Sequence, residues 1–149
     1  MNNPSDLQQT LKDVLAAQRF CVLATQGQGQ PYGSLVAFAE TQDLKQLVFA
    51  TSRDTRKFSN LVSEPRVALV IDSRSNNDSD LTNAVAITAL GSVHEAKGDQ
   101  RERLAGVYLA KQPGLAGFIS SPQTAVCAVE VEEYVIASFD EVAKLQVSR

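Results

Sequence analysis

Apolar residues near the N-terminus recur with helical spacing. A predicted helix over Ser5 to Gln18 carries four apolar side chains on one face, Leu7, Leu11, Val14 and Leu15. Ser5 and Gln8 have the spacing of a capping box at the start of such a helix. We expect this helix to pack as an outer cover on the rest of the domain.

Six later stretches are rich in apolar and β-branched residues, which favours strands. They are Phe20 to Ala24, Tyr32 to Ala39, Gln46 to Thr51, Arg66 to Ile71, Ala84 to Val93 and Ala125 to Ala137. Turn-forming residues at 27–29 and 41–43 separate the first three strands by short connections. These three strands should therefore pair in an antiparallel order.

Two further helices are predicted between the strands. Phe58, Leu61 and Val62 follow a helical pattern that ends at Glu64-Pro65, and another helix runs from Gly98 through about Lys111. A doubly wound parallel sheet is disfavoured, because parallel crossovers need a helix between successive strands. The pattern predicts a mainly β fold, a closed or nearly closed six-stranded antiparallel barrel with peripheral helices.

The composition fits one globular domain, since the 149 residues are 44% hydrophobic and 21% charged. We divide it into an N-terminal helix (1–18), a barrel (19–138) and a C-terminal tail (139–149), with a polar loop at Ser73 to Asp80. No apolar run approaches the ~20 residues of a membrane-spanning helix, and Met1 to Gln9 does not resemble a signal peptide. We therefore expect a cytoplasmic protein with no membrane partner.

Charge and side-chain chemistry narrow the function further. The net charge is −3 and no long basic stripe is present, so nucleic acid is not an expected partner. Cys21 and Cys127 lie in apolar stretches and should be buried, reduced thiols, with no metal site. His94 is expected to be a surface or hydrogen-bonded residue, and Tyr108 to pack under the barrel or across a dimer interface.

Three cations stand where the short helix should begin, Arg53, Arg56 and Lys57. Cations at this end of a helix oppose its dipole, at a cost of roughly a few tenths of a kcal/mol each. A bound phosphate would resolve this, because helix N–H groups, the cations and the hydroxyls of Thr51 and Ser52 could all bind it. The alternative is that the cations are solvated, with Asp54 as a local counterion.

The residues around these cations follow a recognisable order. Phe49-Ala50-Thr51 ends a strand, Arg56-Lys57 follows in the helix, and Glu64-Pro65-Arg66-Val67 enters the next strand. This order resembles the pyridoxamine 5′-phosphate oxidase-like FMN-binding split-barrel family. The resemblance extends to Pro31 to Val36 and to Ala84 through Gly91, and it covers most of residues 18 to 137.

The resemblance implies an FMN-binding split barrel that works as a homodimer, with the flavin site at the subunit interface. It implies that Thr51, Ser52, Arg56 and Lys57 hold the FMN phosphate. The other implied cofactor residues are Ala50 at the end of the third strand and, beside the isoalloxazine ring, Ser34, Leu35 and Val36.

The chain departs from the vitamin B6 oxidases of that family. Their second-strand lysine falls at Ala39, and their fifth-strand glutamine falls at Ala86. The tail from Lys144 to Arg149 has no counterpart to their C-terminal Arg and His. We therefore do not expect true pyridoxamine-phosphate oxidase activity.

Three functions stay open at this point. The first is an FMN-dependent oxidoreductase of unknown substrate, in which the flavin carries the redox chemistry and no catalytic triad is required. The second is a flavin- or haem-binding module without turnover, and the third is a structural or interaction barrel with an empty site. A deazaflavin cofactor would satisfy the same phosphate chemistry as FMN.

Overall fold

The computed structural model describes residues 3–148, so residues 1, 2 and 149 of the predicted domain lie outside the described residues. The strands are β1 Phe20–Gly27, β2 Gln30–Glu40, β3 Gln46–Ser52, β4 Arg66–Asp72, β5 Ala86–Glu95, β6 Thr124–Ala137 and β7 Val142–Gln146. The helices are α1 Pro4–Ala17, α2 Arg56–Ser63, α3 Asp80–Asn83, α4 Gly98–Lys111 and α5 Ala116–Ser120, with a 3-10 turn at Pro113–Leu115. No helix in this range is long and apolar enough to cross a membrane.

Six of these strands form a closed antiparallel barrel. The sheet order is β3-β2-β1-β4-β5-β6, and β3 also pairs with β6, from Gln46 opposite Glu130 to Ser52 opposite Thr124. This last pairing closes the barrel. The predicted mainly β split barrel and its six strands are thereby confirmed.

Two local features differ from the sequence prediction. Residues 142–146, assigned to the tail, form the extra strand β7, which pairs with the end of β6. The side chains of β7 are only alternately half-buried, so its sequence carries a weak strand signal. Helix α1 is capped by Asn3 and not by Ser5, because Asn3 Oδ1 accepts a hydrogen bond from the Asp6 backbone N–H at 3.0 Å.

Alternation of side chains along the strands produces two separate cores. Large residues such as Phe38, Phe49 and Leu69 fill the barrel interior, and the apolar face of α1 packs against this cluster. On the outer surface, strand residues that include three alanines pack against Leu104 and Tyr108 of α4; these are Ala39, Ala50 and Ala128. The small side chains let α4 lie close to the barrel wall.

Gly91 lies where β5 approaches the backbone of β6 most closely. The β5–β6 register shifts between Leu90 and Gly91. A Cβ atom at position 91 would lie 2.1 Å from the Glu130 carbonyl oxygen and 2.9 Å from its carbonyl carbon. Since these are backbone atoms of a paired strand, they cannot move aside without disturbing the sheet, and only glycine fits.

We expect Gly91→Ala to lower the free energy of unfolding by roughly 3 kcal/mol, because the added methyl group overpacks the sheet. Urea denaturation followed by circular dichroism measures the change. The matched control is Gly106→Ala on α4, where an added Cβ meets nothing within 4 Å. That variant should gain roughly 0.5–1 kcal/mol from helix propensity, and an unchanged midpoint for Gly91→Ala would contradict the packing argument.

Both cysteines are free thiols buried in the barrel interior, as expected. Burial raises the pKa of Cys21 and of Cys127 from 9.0 to about 12. The folded chain therefore holds these two protons more strongly than the unfolded chain does. Their contribution to stability is complete below pH 9 and declines as the pH rises towards about 12.

We accordingly expect the urea midpoint of unfolding to fall as the pH is raised from about 9 to about 11. At about pH 8, a thiol reagent such as Ellman's reagent should react with the unfolded chain only. Rapid labelling of the native protein at that pH would show that the thiols are accessible.

Candidate functional site

An open cavity of about 530 Å³ lies on the outer surface of the barrel, which is within the size range of small-molecule sites. One wall consists of the start of β1, the middle of β2 and the end of β3. The start of α2 closes one end, and the segment from the end of α4 to α5 forms the facing wall. The cavity thus lies where the barrel meets three helices.

Three residues with hydroxyl side chains lie at the junction of β3 and α2. Thr51 and Ser52 end β3, and Thr55 caps α2, with its Oγ1 accepting a hydrogen bond from the Phe58 N–H at 3.3 Å. Thr55 Oγ1 also donates to the Ser52 carbonyl oxygen at 2.8 Å and lies 3.2 Å from Thr51 Oγ1. These contacts hold all three hydroxyl residues in the cavity lining.

A buried polar contact anchors α2 against β1. Asn60 Nδ2 donates a hydrogen bond to Thr25 Oγ1 at 3.1 Å, and both residues are buried. Gly27 provides the necessary space, because a Cβ atom there would lie 2.2 Å from Asn60 Oδ1. The start of α2 is therefore held at a defined distance from the strand wall.

Arg56 and Lys57 are the first two residues of α2, and neither forms an ion pair within residues 3–148. Asp54, the alternative counterion, accepts a hydrogen bond from Ser52 Oγ at 2.5 Å. Lys57 lines the cavity. Arg56 lies over the Tyr32 ring, with its Cζ atom 4.3 Å from the ring centroid. Two cations therefore stand at a helix N-terminus without an ion-pair contact to any described carboxylate.

Arg53, the third cation of this stretch, has a structural role. Its guanidinium pairs with Glu95 and donates a hydrogen bond to the Pro122 carbonyl oxygen at 2.7 Å. The hydrogen bond with Glu95 raises the pKa of Arg53. Arg53 thus links the end of β3 to β5 and to the segment before β6.

The cavity brings together most of the predicted cofactor residues. Those in its lining are Leu35, Val36, Ala50, Thr51, Ser52 and Lys57. Ser34 and Arg56 are not among the lining residues. Leu35 is 71% exposed on the outer face of β2, whereas Val36 is buried and belongs to the barrel interior.

Tyr108 on α4 forms part of the facing wall. It packs in the outer core as expected, and it also lines the cavity, with 1% of its surface exposed. The Tyr108 hydroxyl forms no hydrogen bond with a described residue. Every fully buried side-chain oxygen or nitrogen in residues 3–148 does have a hydrogen-bond partner, so this hydroxyl is not fully buried. The hydroxyl therefore borders open space. Burial raises the pKa of Tyr108 to about 12, so it stays a proton donor at neutral pH.

Gln112 is a buried polar residue that sequence reasoning missed. Its Nε2 donates hydrogen bonds to the carbonyl oxygens of Arg19 at 2.8 Å and of Phe38 at 3.0 Å. These bonds join the end of α4 to β1 and β2, and Gln112 lines the cavity. A glutamine before Pro113 carries no local pattern that would distinguish it from a solvated helix end.

Ala39 and Ala86, which replace a lysine and a glutamine of the vitamin B6 oxidases, both lie outside the cavity lining. Ala39 is buried beneath α4, and Ala86 begins β5, outside the cavity lining. His94 is exposed, and its Nε2 lies 3.1 Å from Gln100 Oε1, as expected for a surface or hydrogen-bonded residue.

Comparison with solved structures finds the same fold in several proteins. A heme-binding protein from Mycobacterium smegmatis superposes with a TM-score of 0.79 at 19% identity, over 89% of this chain and 55% of that one. The chain therefore spans about half the length of that protein. A FAD-binding protein from Mesorhizobium loti gives 0.68 at 17% identity, over 92% and 90% of the two chains.

A third solved structure, from Clostridium acetobutylicum, is described as related to general stress protein 26 of B. subtilis and to the pyridoxinephosphate oxidase family. It gives a TM-score of 0.76 at 12% identity, over 97% of each chain. A search of curated proteins gives no significant match.

The family model described as pyridoxamine 5′-phosphate oxidase matches residues 7–135. This range contains the six barrel strands up to Val135, helix α2 and both walls of the cavity. The chain therefore belongs to the pyridoxamine 5′-phosphate oxidase-like split-barrel family.

Proposed function

We propose that this protein is a cytoplasmic, FMN-binding homodimer that works as a flavin-dependent oxidoreductase on a small molecule. The observation that carries the proposal is the end of the cavity at the start of α2. At this end, Lys57 and three residues with hydroxyl side chains line the cavity, and Arg56 lies next to them in the chain. Neither Arg56 nor Lys57 forms an ion pair with a carboxylate in the described chain.

A phosphate group fits this end by charge and by hydrogen bonding. Lys57 and Arg56 supply positive charge, and the helix N-terminus supplies backbone N–H groups. The hydroxyls of Thr51 and Ser52 donate to the Ser52 carbonyl oxygen and to Asp54 in this structure, and they would donate to a phosphate after rotation. Arg56 lies over the Tyr32 ring in this structure, and its contact with a phosphate would require it to leave the ring. A bound phosphate would remove the unfavourable placement of both cations on the helix dipole.

The remainder of the cavity suits the ring of a flavin. Its strand wall is apolar, with Leu35 and Ala37 on β2 and Ala50 on β3, and Tyr108 offers a hydroxyl donor from the facing wall. A flavin supplies hydride or single-electron transfer when bound, so the protein needs to bind and orient rather than to provide acid–base groups. Ala39 lies buried under α4 in place of the lysine of the vitamin B6 oxidases, so we propose a substrate other than pyridoxamine phosphate.

Haem is the second candidate, since one protein of the same fold is described as heme-binding. Haem iron is commonly held by His, Cys or Met. None of these residue types lines the cavity in the described part of the chain. The donor set therefore favours a phosphate-bearing flavin over haem.

The visible spectrum of the purified protein tests the cofactor, before and after incubation with FMN and removal of free ligand on a sizing column. Flavin absorption retained on a dimer-sized peak supports the proposal. A Soret band points to haem, and a deazaflavin spectrum points to that cofactor with the same phosphate site. A folded protein that retains no chromophore would contradict the proposal.

We expect the double substitution Arg56→Ala with Lys57→Ala to weaken FMN binding by at least about tenfold, because two charge-assisted contacts to phosphate are lost. Fluorescence titration with FMN measures the dissociation constant. The fold should be unaffected, since neither side chain is buried. The matched control is Arg74→Ala with Lys144→Ala, which removes the same charge from two exposed positions outside the cavity. Unchanged FMN affinity in the first variant would exclude the phosphate assignment.

An exposed apolar face beside the cavity supports the proposed homodimer. Phe20, Val22 and Leu35 are 55%, 37% and 71% exposed, and Val22 pairs directly with Leu35 across β1 and β2. Contiguous apolar surface of this kind is typical of protein interfaces, and two-fold dimers are the commonest assembly. Phe20 and Leu35 also line the cavity, so a partner subunit on this face would cover its opening.

We expect Val22→Glu to convert a dimer to a monomer, because a buried, unpaired carboxylate at the interface is costly. Light scattering after size exclusion measures the mass. Val22 is not a lining residue, so a loss of FMN retention in this variant would follow from loss of the partner. Leu81→Glu on α3, at another exposed leucine, is the control and should stay dimeric. A monomeric wild type would contradict this part of the proposal.

A further inference from the structure

The cavity has a second cation, far from the start of α2. Arg19 lies between α1 and β1 and is one of the residues that line the cavity. Arg19 and Lys57 are the only charged residues in the lining of this cavity within the described chain, and both are positive. This is notable in a protein whose net charge is −3.

The backbone of Arg19 is fixed, whereas its guanidinium is free. The Arg19 carbonyl oxygen accepts hydrogen bonds from the Phe38 N–H at 3.1 Å and from Gln112 Nε2 at 2.8 Å. The side chain is exposed and forms no ion pair with any described residue. An arginine held in place at a cavity, with its charge unbalanced, is suited to bind an anion.

Strand register places Arg19 away from the phosphate end. Arg19 and Phe49 flank Phe38 on opposite sides of β2, and β1 and β3 run in the same direction from there. Ser52 follows three residues beyond Phe49, so it lies roughly 10 Å further along the strands and roughly 10 Å across the sheet from Arg19. A phosphate at the start of α2 therefore leaves the Arg19 guanidinium available to another group.

We propose that Arg19 is a specificity-determining residue that binds the carboxylate of a small organic acid, the second ligand of this site. The proposal rests on the flavin-binding function proposed above. In this proposal, Lys57 binds the phosphate of the cofactor and Arg19 binds the carboxylate of the substrate. The cavity would then select acidic substrates over neutral molecules of the same shape.

The test compares benzoate with benzamide, a planar acid and its neutral analogue, on the FMN-loaded protein. Calorimetric titration and the shift in the flavin absorption band report binding. We expect the wild type to bind benzoate at least about tenfold more tightly than benzamide, with a preference that weakens as salt is added. Arg19→Gln should lose that preference and keep its FMN affinity within about twofold. Arg103→Gln, an exposed arginine on α4 outside this cavity, should behave as the wild type.

The outcomes separate the two proposals. A wild type that retains no FMN overturns the flavin function and, with it, the role of Arg19. A wild type that retains FMN but shows no preference for benzoate overturns the role of Arg19 alone, as does an Arg19→Gln variant with the preference intact. An Arg19→Gln variant with strongly reduced FMN affinity also overturns it, because Arg19 would then contact the flavin itself.

Discussion

The antiparallel pairing of β3 with β6 is the contact on which the rest of this structure depends. Seven consecutive residue pairs, from Gln46 opposite Glu130 to Ser52 opposite Thr124, close a sheet that would otherwise have two open edges. The same pairing holds the end of β3, where Thr51 and Ser52 project towards the start of α2. A loss of register here would affect both the barrel and the cavity, because a shift by one residue exchanges the two faces of a strand.

The positive charge at the α2 end of the cavity depends on three neighbouring cations that differ in whether they have an ion-pair partner. Arg53 is neutralised by Glu95 and joins elements of the framework. Arg56 and Lys57, three and four residues later, have no such partner in the described chain. Local sequence cannot separate these roles, since all three side chains follow the same strand. The separation depends on Glu95, which the barrel brings near from β5.

Much of the fold could be predicted from the sequence, because strand periodicity and short turns specify an antiparallel order. The grouping of residues at the α2 end of the cavity was also predictable, since Thr51, Ser52 and Lys57 lie within seven consecutive residues. The facing wall was predictable only in part: the packing of Tyr108 followed from its helical spacing, but its place in the cavity lining did not. Gln112 carries no local signal, because it reaches the strands only through the docking of α4. Arg19 was missed for a similar reason, as a lone arginine after a helix has no distinguishing pattern. The strand β7 was missed because its five residues bury little apolar surface.

The alanines beneath α4 have a consequence for how this protein can vary. Ala39 and Ala128 lie under the helix without lining the cavity, and they determine how closely the helix approaches the barrel. Because Tyr108 and Gln112 are carried on that helix or directly after it, the width of the cavity depends on side-chain volume at positions that a ligand never touches. Related chains can therefore acquire wider or narrower cavities by exchanging small residues in this hidden layer, while every group that contacts the ligand stays the same.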